Sequence, residues 1–283
     1  MRILLILPQH LRHFPKARVW PPLPDSESDP QSHGEEDVTL PDAATQERLL
    51  EIYFAYVHPI LPILHKKSFL EELCVICLAI SPDFALTLLC YSRNAIRQCG
   101  NSFNPPSPSQ FGRRRLHISP LLLLAIFSVA ARYTSTHDND KPPSESSMWT
   151  AGDEYLAEAK RLLDLSYSAS RPATCQALLL MGYREIGIGA MAQAWLYIGM
   201  AIRMAQDLGL HKNADQWTHS GMSLFTPVEL QERRRIWYAC VIMDKYVSTY
   251  VGRPLSILER DFDTALPSIE EVCLTPCVKS VFR

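Results

Sequence analysis

The sequence predicts an all-α, multi-helix bundle, and three observations carry that expectation. Apolar residues recur at spacings near three and four, as in Trp195, Ile198, Ile202, Ala205 and Leu208. Helix start and stop signals frame several of these stretches, with Ser-Pro or Thr-Pro before them and glycine after them. Period-two alternation is scarce and no Asn-Gly or Asp-Gly turn stands between apolar runs, so a sheet has little support.

Residues 1–43 carry Pro8, Pro15, Pro21, Pro22, Pro24, Pro30 and Pro41, and every charged residue over 19–47 is acidic. Such a composition predicts a solvated, disordered segment. Asp25, Glu27, Asp29, Glu35, Glu36 and Asp37 lack interleaved aromatics, so the stretch reads as a linker rather than an activation segment. From Ala44 onward helices are expected at 44–57, 68–80, 82–98, 119–134, 150–168, 173–187, 190–209 and 227–250. The first runs into a proline-bracketed turn, His58-Pro59 to Pro62, before Phe69. Ser81-Pro82 and Ser119-Pro120 are start signals for two others. Loops are expected at 100–118, which holds Asn104-Pro105-Pro106-Ser107-Pro108, and at 136–147, which holds Asp138-Asn139-Asp140-Lys141-Pro142-Pro143. The helix over 190–209 ends at Gly209, a C′ residue, and His211 just beyond it suits a cation at a helix C-terminus.

The last helix has the fullest signature. Thr226 is the expected N-cap, Pro227 the first helical residue and Glu229 the capping-box partner. Leu230, Trp237, Val241, Met243 and Val247 form an apolar stripe, widened by Ile236, Tyr246 and Tyr250 and expected to be buried. Gly252-Arg253-Pro254 stops the helix, glycine by taking a left-handed conformation and proline by blocking continuation.

Composition limits the function classes. With 283 residues, 47% of them apolar, the chain can hold one large helical domain or two small ones. A net charge of −2 gives no overall basic footprint, so the body of the chain is not expected to contact DNA. The apolar run over 3–7 is too short for a secretory signal. The predominantly apolar stretch over 121–131 falls short of the roughly 20 residues that span a bilayer. No membrane span is expected.

Possible chemistry is equally constrained. The nine histidines form no H-E-x-x-H, and prolines between His58 and His65 prevent a common helical face. No G-x-S-x-G elbow or P-loop occurs, and Gly187-Ile188-Gly189 follows no strand, so no catalyst is identified and the chain is read as not an enzyme. Cys74 and Cys77 form a C-x-x-C inside an apolar run, where cysteine acts as a small hydrophobe. Glu71 and Glu72 just upstream disfavour the thiolate a redox pair needs. Arg113-Arg114-Arg115 reads as a solvated loop.

The order Arg234, Arg235, Trp237, Tyr238, then Asp244 and Lys245, then Gly252-Arg253-Pro254, then Asp261, Asp263 and Leu266-Pro267 resembles the middle regulatory domain of fungal zinc-cluster transcription factors. Tyr238 stands where that family's pattern usually has a second tryptophan. Further blocks agree in order: Tyr53-Phe54 with His58-Pro59 and His65, Ser119-Pro120-Leu121 with Ala131-Arg132-Tyr133, Gln176-Ala177-Leu178-Leu179, and Ala194-Trp195 to Leu208-Gly209-Leu210-His211. The resemblance covers about residues 45–268. It implies the helical bundle of that family as residues 44–268, with 269–283 irregular. It also implies a nuclear protein regulating RNA polymerase II transcription through coregulators or intramolecular domains, and a homodimer is a further expectation.

The family's DNA-binding module holds two zinc ions with six closely spaced cysteines. Here the cysteines fall at 74, 77, 90, 99, 175, 240, 273 and 277, so that cluster is absent from this sequence. Zinc and DNA are thus expected only through a segment not present in it. The resemblance makes Arg234, Arg235 and Asp244 parts of one structural polar network, since buried charges require pairing. Trp237, Tyr238, Gly252, Arg253 and Pro254 complete the candidate structural and regulatory motif.

Two other readings compete. Trp195, Gly199 and Ala205 have a tetratricopeptide flavour and suggest a stand-alone interaction module, but only one such copy is visible. A crevice lined by Trp195, Trp237, Tyr238 and Arg253 would suit an aromatic or acidic effector. The abrupt start at Met1-Arg2-Ile3 and the stop soon after Cys273 and Cys277 lead to the expectation of a shortened gene product.

Overall fold

The structure is a computed structural model that describes residues 38–80, 118–134, 149–219 and 222–268, without the side chains of 74–80. α1 (Ala43–Ile52) passes into a π-turn, Tyr53–Val57, and α2 spans Lys66–Ile80. α3 (Pro120–Ala130) tightens into a 3-10 turn, Ala131–Tyr133. α4 (Asp153–Ser166), α5 (Pro172–Ile188) and α6 (Met191–Asp207) follow. A two-residue ladder pairs Thr218 with Ser223 and His219 with Met222, antiparallel, before the long α7 (Pro227–Val251) and a 3-10 turn, Glu259–Asp261. All-α is thus the observed class, with that ladder as a small addition not expected from the sequence.

α3 sits at the centre because its composition allows nothing else. Residues 121–130 are buried on every side, and a helix apolar all round is stable only when neighbours cover its whole circumference. α1, α4 and α5 supply that cover; α5 packs along α6, and α7 closes the bundle against α5 and α6. Phe54 sits edge-on to both Tyr53 and Phe69, tying the π-turn to α2.

The start signals that fall within the described residues, at Ser119 and Thr226, are observed. Ser119 accepts a hydrogen bond from the Leu122 amide, 3.2 Å, at the head of α3. Thr226 and Glu229 form the reciprocal capping box of α7. Gly209 (φ 66°) and Gly252 (φ 70°) both adopt the left-handed conformation that ends α6 and α7. Replacing Thr226 by alanine is expected to lower stability by about 1 kcal/mol, read from the denaturant midpoint; an unchanged midpoint would show that the box contributes nothing.

The expected segment over 1–43 enters the described residues only at 38, and there Val38 and Leu40 already pack against the core. The helix over 82–98, its Ser81-Pro82 signal, the loop over 136–147, the Arg113–Arg115 triplet and the tail over 269–283 lie outside the described residues, as does the loop over 100–118 except residue 118. Cys74 and Cys77 lie in α2, with side chains outside the description.

Candidate functional site

The motif residues over 232–267 are built from two pieces: the α7 helix and a strap that leaves it at Gly252 and returns along it. Asp244, 1% exposed, anchors the strap. Its Oδ2 accepts from the Ser256 and Ile257 amides, each at 2.9 Å, and Ile257 is buried beside it. Asp261 accepts from the Leu258 amide at 3.1 Å, shaping the next turn. Phe262 then lays its ring edge-on to Trp237 and Tyr238, at 5.6 and 6.1 Å. Asp263 accepts from the Asn213 amide at 2.9 Å, and the Tyr238 hydroxyl donates to the Thr264 carbonyl at 3.1 Å. At the far end the Ser268 amide donates to Gln231 at 2.8 Å. The recurrent aspartates are therefore acceptors for backbone that has left helical geometry and lost its internal partners.

The arginine triplet divides by helical phase. Consecutive residues point about 100° apart, and the structure places Arg233 and Arg235 inside, with Arg234 at the rim. Arg234 pairs with Asp215. Asp244 lies about 15 Å further along the axis. The single network of Arg234, Arg235 and Asp244 expected from the sequence is therefore split, and Asp244 answers backbone amides rather than an arginine.

Arg233, outside the candidate motif expected from the sequence, makes specific contacts of its own. Its Nη2 donates to the carbonyls of Leu208 and Gly209, at 3.4 and 2.8 Å, and its guanidinium lies 4.3 Å from the Phe225 ring centre and 5.6 Å from that of Trp217. Those carbonyls follow the end of α6, where cations are favoured. Burial pushes the Arg233 pKa down to about 10, so it stays charged at neutral pH. This corrects the role expected of His211, whose ring packs 5.7 Å from that of Trp237 and whose pKa is lowered by burial first, then by Lys212 and Arg233. His211 is held toward its neutral form, and Arg233 supplies the cation.

Gly252 ends α7, its neighbour Pro254 is exposed, and Arg253 lies over the Trp195 ring at 4.4 Å. That contact joins the end of α7 to the start of α6. Trp237 is fully buried 14 residues before the end of α7, about 21 Å away along the axis. The crevice of Trp195, Trp237, Tyr238 and Arg253 expected from the sequence therefore does not form. Tyr246 and Tyr250, expected within the buried stripe, are 52% and 67% exposed, and Ile242 is exposed beside them.

A second buried arginine escaped the sequence reading. Arg184 of α5, 2% exposed, donates from Nε to the Ser128 carbonyl and from Nη2 to the Ala151 carbonyl, both at 3.2 Å, and pairs with Asp153. It joins α3, α4 and α5. The adjacent Gly152 takes φ 77°, and a Cβ there would fall 2.5 Å from the Ser128 carbonyl oxygen. The available signal was a charge among Ala177, Leu180 and Met181 on the apolar face of a helix.

His58 sits buried in the opening turn, with its pKa pushed down to about 3 by burial first, then by the charges of Arg235, Lys66 and His65. An unfolded chain, with an ordinary histidine pKa near 6.5, binds a proton below that value that the folded chain refuses. The contribution is complete above about pH 6.5 and is lost as pH falls toward 3. His211 acts in the same direction. His58→Gln is expected to reduce the fall of the urea midpoint between pH 7 and 5, compared with the parent chain; parallel pH profiles would remove His58 from this account.

Cys175 and Cys240 are buried in the core; the Cys175 thiol donates to the Ala201 carbonyl at 3.2 Å. Its hydrogen bond to Cys240, together with burial, raises the Cys240 pKa well above the usual thiol value. Among the described residues no group of His, Cys, Asp and Glu could hold a metal ion, and no helix is long and apolar enough to cross a membrane. A small cleft between Leu64, His65, Gln176, Glu232 and Ile236 has about 20 Å³ of open space, room for one water.

Comparison with known proteins places these features in a family. The model of the fungal specific transcription factor domain matches residues 50–272. The nitrogen assimilation transcription factor nirA of Emericella nidulans is 30% identical over 81% of the chain, and nit-4 of Neurospora crassa, described likewise, is 36% identical over 52%. A Zn(2)-C6 fungal-type transcription factor, FTF1a, of Fusarium oxysporum f. sp. lycopersici is 31% identical over 53%. The matched stretches span only 20%, 13% and 14% of those three relatives. No solved structure matches the chain.

Proposed function

The chain belongs to the fungal specific transcription factor domain family, and from that premise we propose that it serves a nuclear regulator of RNA polymerase II transcription through coregulators or other domains of its own protein. The regulatory unit in this reading is residues 44–268. The observation that carries it is the inward turn of the charged motif. Arg233, Arg235 and Asp244 are all buried, Arg233 and Asp244 holding the end of α6 and the return strap. A motif spent on the interior does not offer the basic surface that duplex DNA requires. Zinc and specific DNA contact are assigned instead to a six-cysteine module whose spacing this sequence lacks.

Residues 1–283 fused to a heterologous DNA-binding domain are expected to alter reporter transcription in a fungal host. The unfused chain is expected to bind promoter fragments only non-specifically, with Kd on the order of 10⁻⁴–10⁻⁶ M at physiological salt. A sequence-specific, salt-sensitive gel shift by the unfused chain would overturn the division of labour. A fusion that is expressed, nuclear and silent would remove the regulatory reading.

A further inference from the structure

The sequence holds five Ser-Pro or Thr-Pro pairs, beginning at 81, 107, 119, 226 and 275. Two of them, Ser119-Pro120 and Thr226-Pro227, fall within the described residues, and both open a helix. Their surroundings differ. Ser119 and Pro120 are half-buried and lead straight into residues 121–130, all of them buried. Thr226 and Pro227 are exposed, and none of residues 226–232 is buried. Thr226 also holds an extended backbone, φ −71° and ψ 159°.

We propose that Thr226 is a phosphorylation site for a proline-directed serine/threonine kinase, which reads the exposed Thr-Pro pair at the head of α7. Proline has no N–H, so a kinase pocket for the position after the target can be apolar, whereas another residue there would bury an unpaired donor. The pyrrolidine ring also biases the preceding residue toward extended backbone, and Thr226 already has the shape of a chain lying in a cleft. In the reaction the Thr226 hydroxyl oxygen bonds to the γ-phosphorus of ATP and its proton passes to a base of the kinase. The bond from that phosphorus to the bridging oxygen breaks, and ADP leaves with the electron pair.

A phosphate at this position meets two opposing neighbours. The first amides of α7 and the helix dipole favour an anion at the N-cap. Glu229, whose carboxylate accepts from the Thr226 amide at 2.6 Å, faces it as a like charge. The modification thus exchanges the reciprocal capping box for a phosphate cap and expels the Glu229 side chain.

The test uses the full chain carrying S81A/S107A/T275A, an active mitogen-activated protein kinase and ATP, with peptides of residues 112–126 and 219–233 as unfolded references. Relative to its own peptide, Thr226 is expected to be phosphorylated at least about ten-fold faster than Ser119, which becomes reachable only when α3 opens. Thr226→Ser is expected to keep the phosphate and Thr226→Ala to lose it, read by peptide mass mapping. Glu229→Gln is expected to raise the melting temperature of the phosphorylated chain and to lower that of the unphosphorylated one, because the same carboxylate repels in the first and caps in the second. Three results overturn the proposal: Thr226 left unmodified in the folded chain; Thr226 and Ser119 modified at equal rates relative to their peptides, which would report unfolding; or a Glu229→Gln shift of the same sign in both forms.

Discussion

Replacing Arg184 by alanine is expected to destabilise the chain by about 4 kcal/mol, which for a domain of this size lowers Tm by roughly 10 °C. The side chain is 2% exposed and its guanidinium serves acceptors from three elements: the Ser128 carbonyl of α3, the Ala151 carbonyl before α4, and the Asp153 carboxylate. Its removal leaves two inner carbonyls without their donor and a cavity where the stem packed. Arg184→Lys keeps the charge but not the planar fork, so it should recover only part of the loss. Asp153→Asn should cost about 1 kcal/mol or less, because that partner is 56% exposed on its side chain. Equal losses for Arg184→Ala and Asp153→Asn in calorimetry would contradict the view that the arginine's carbonyl contacts dominate.

Asp244→Ala is expected to cost about 3 kcal/mol, since it leaves the Ser256 and Ile257 amides without an acceptor at a buried turn. Asp244→Asn retains an acceptor oxygen but loses charge assistance, and about 1 kcal/mol is expected. The loss should be local before it is global. Amide exchange at Ser256 and Ile257 and over the following strap should accelerate in Asp244→Ala, with α3 and α5 still protected. An unchanged melting curve, or exchange that accelerates uniformly through the bundle, would remove the strap-anchoring role.

Much of the scaffold was legible because it rests on local signals. Ser119 and the Thr226–Glu229 box are observed where their sequence patterns put them, and Gly209 and Gly252 adopt the left-handed geometry that ends a helix. These features depend on neighbours within a few positions, so a linear pattern contains them. Arg184 and Arg233 were not legible for the opposite reason. Their acceptors come from Ser128, Ala151, Leu208 and Gly209, distant in sequence, and a charge on an apolar face shows only that some partner must exist. Asp244 was recognised as structural, but its partner was misassigned to arginine because sequence spacing cannot show a strap folding back.

The sequence alone thus determined the helical class, the capped ends of the helices and the ordered motif that identifies the family. The tertiary structure decided which sector of each helix faces inward. Arg233 and Arg235 are buried while Arg234 meets Asp215; Trp237 is enclosed while Tyr246 and Tyr250 stand in solvent; His211 packs toward neutrality while Arg233 takes the end of α6. The physical reason is that period 3.6 fixes the phase of side chains around a helix axis, whereas the width and direction of the covered sector depend on neighbouring elements. For α7 those elements are α5, α6 and the returning strap, brought beside it only by the fold.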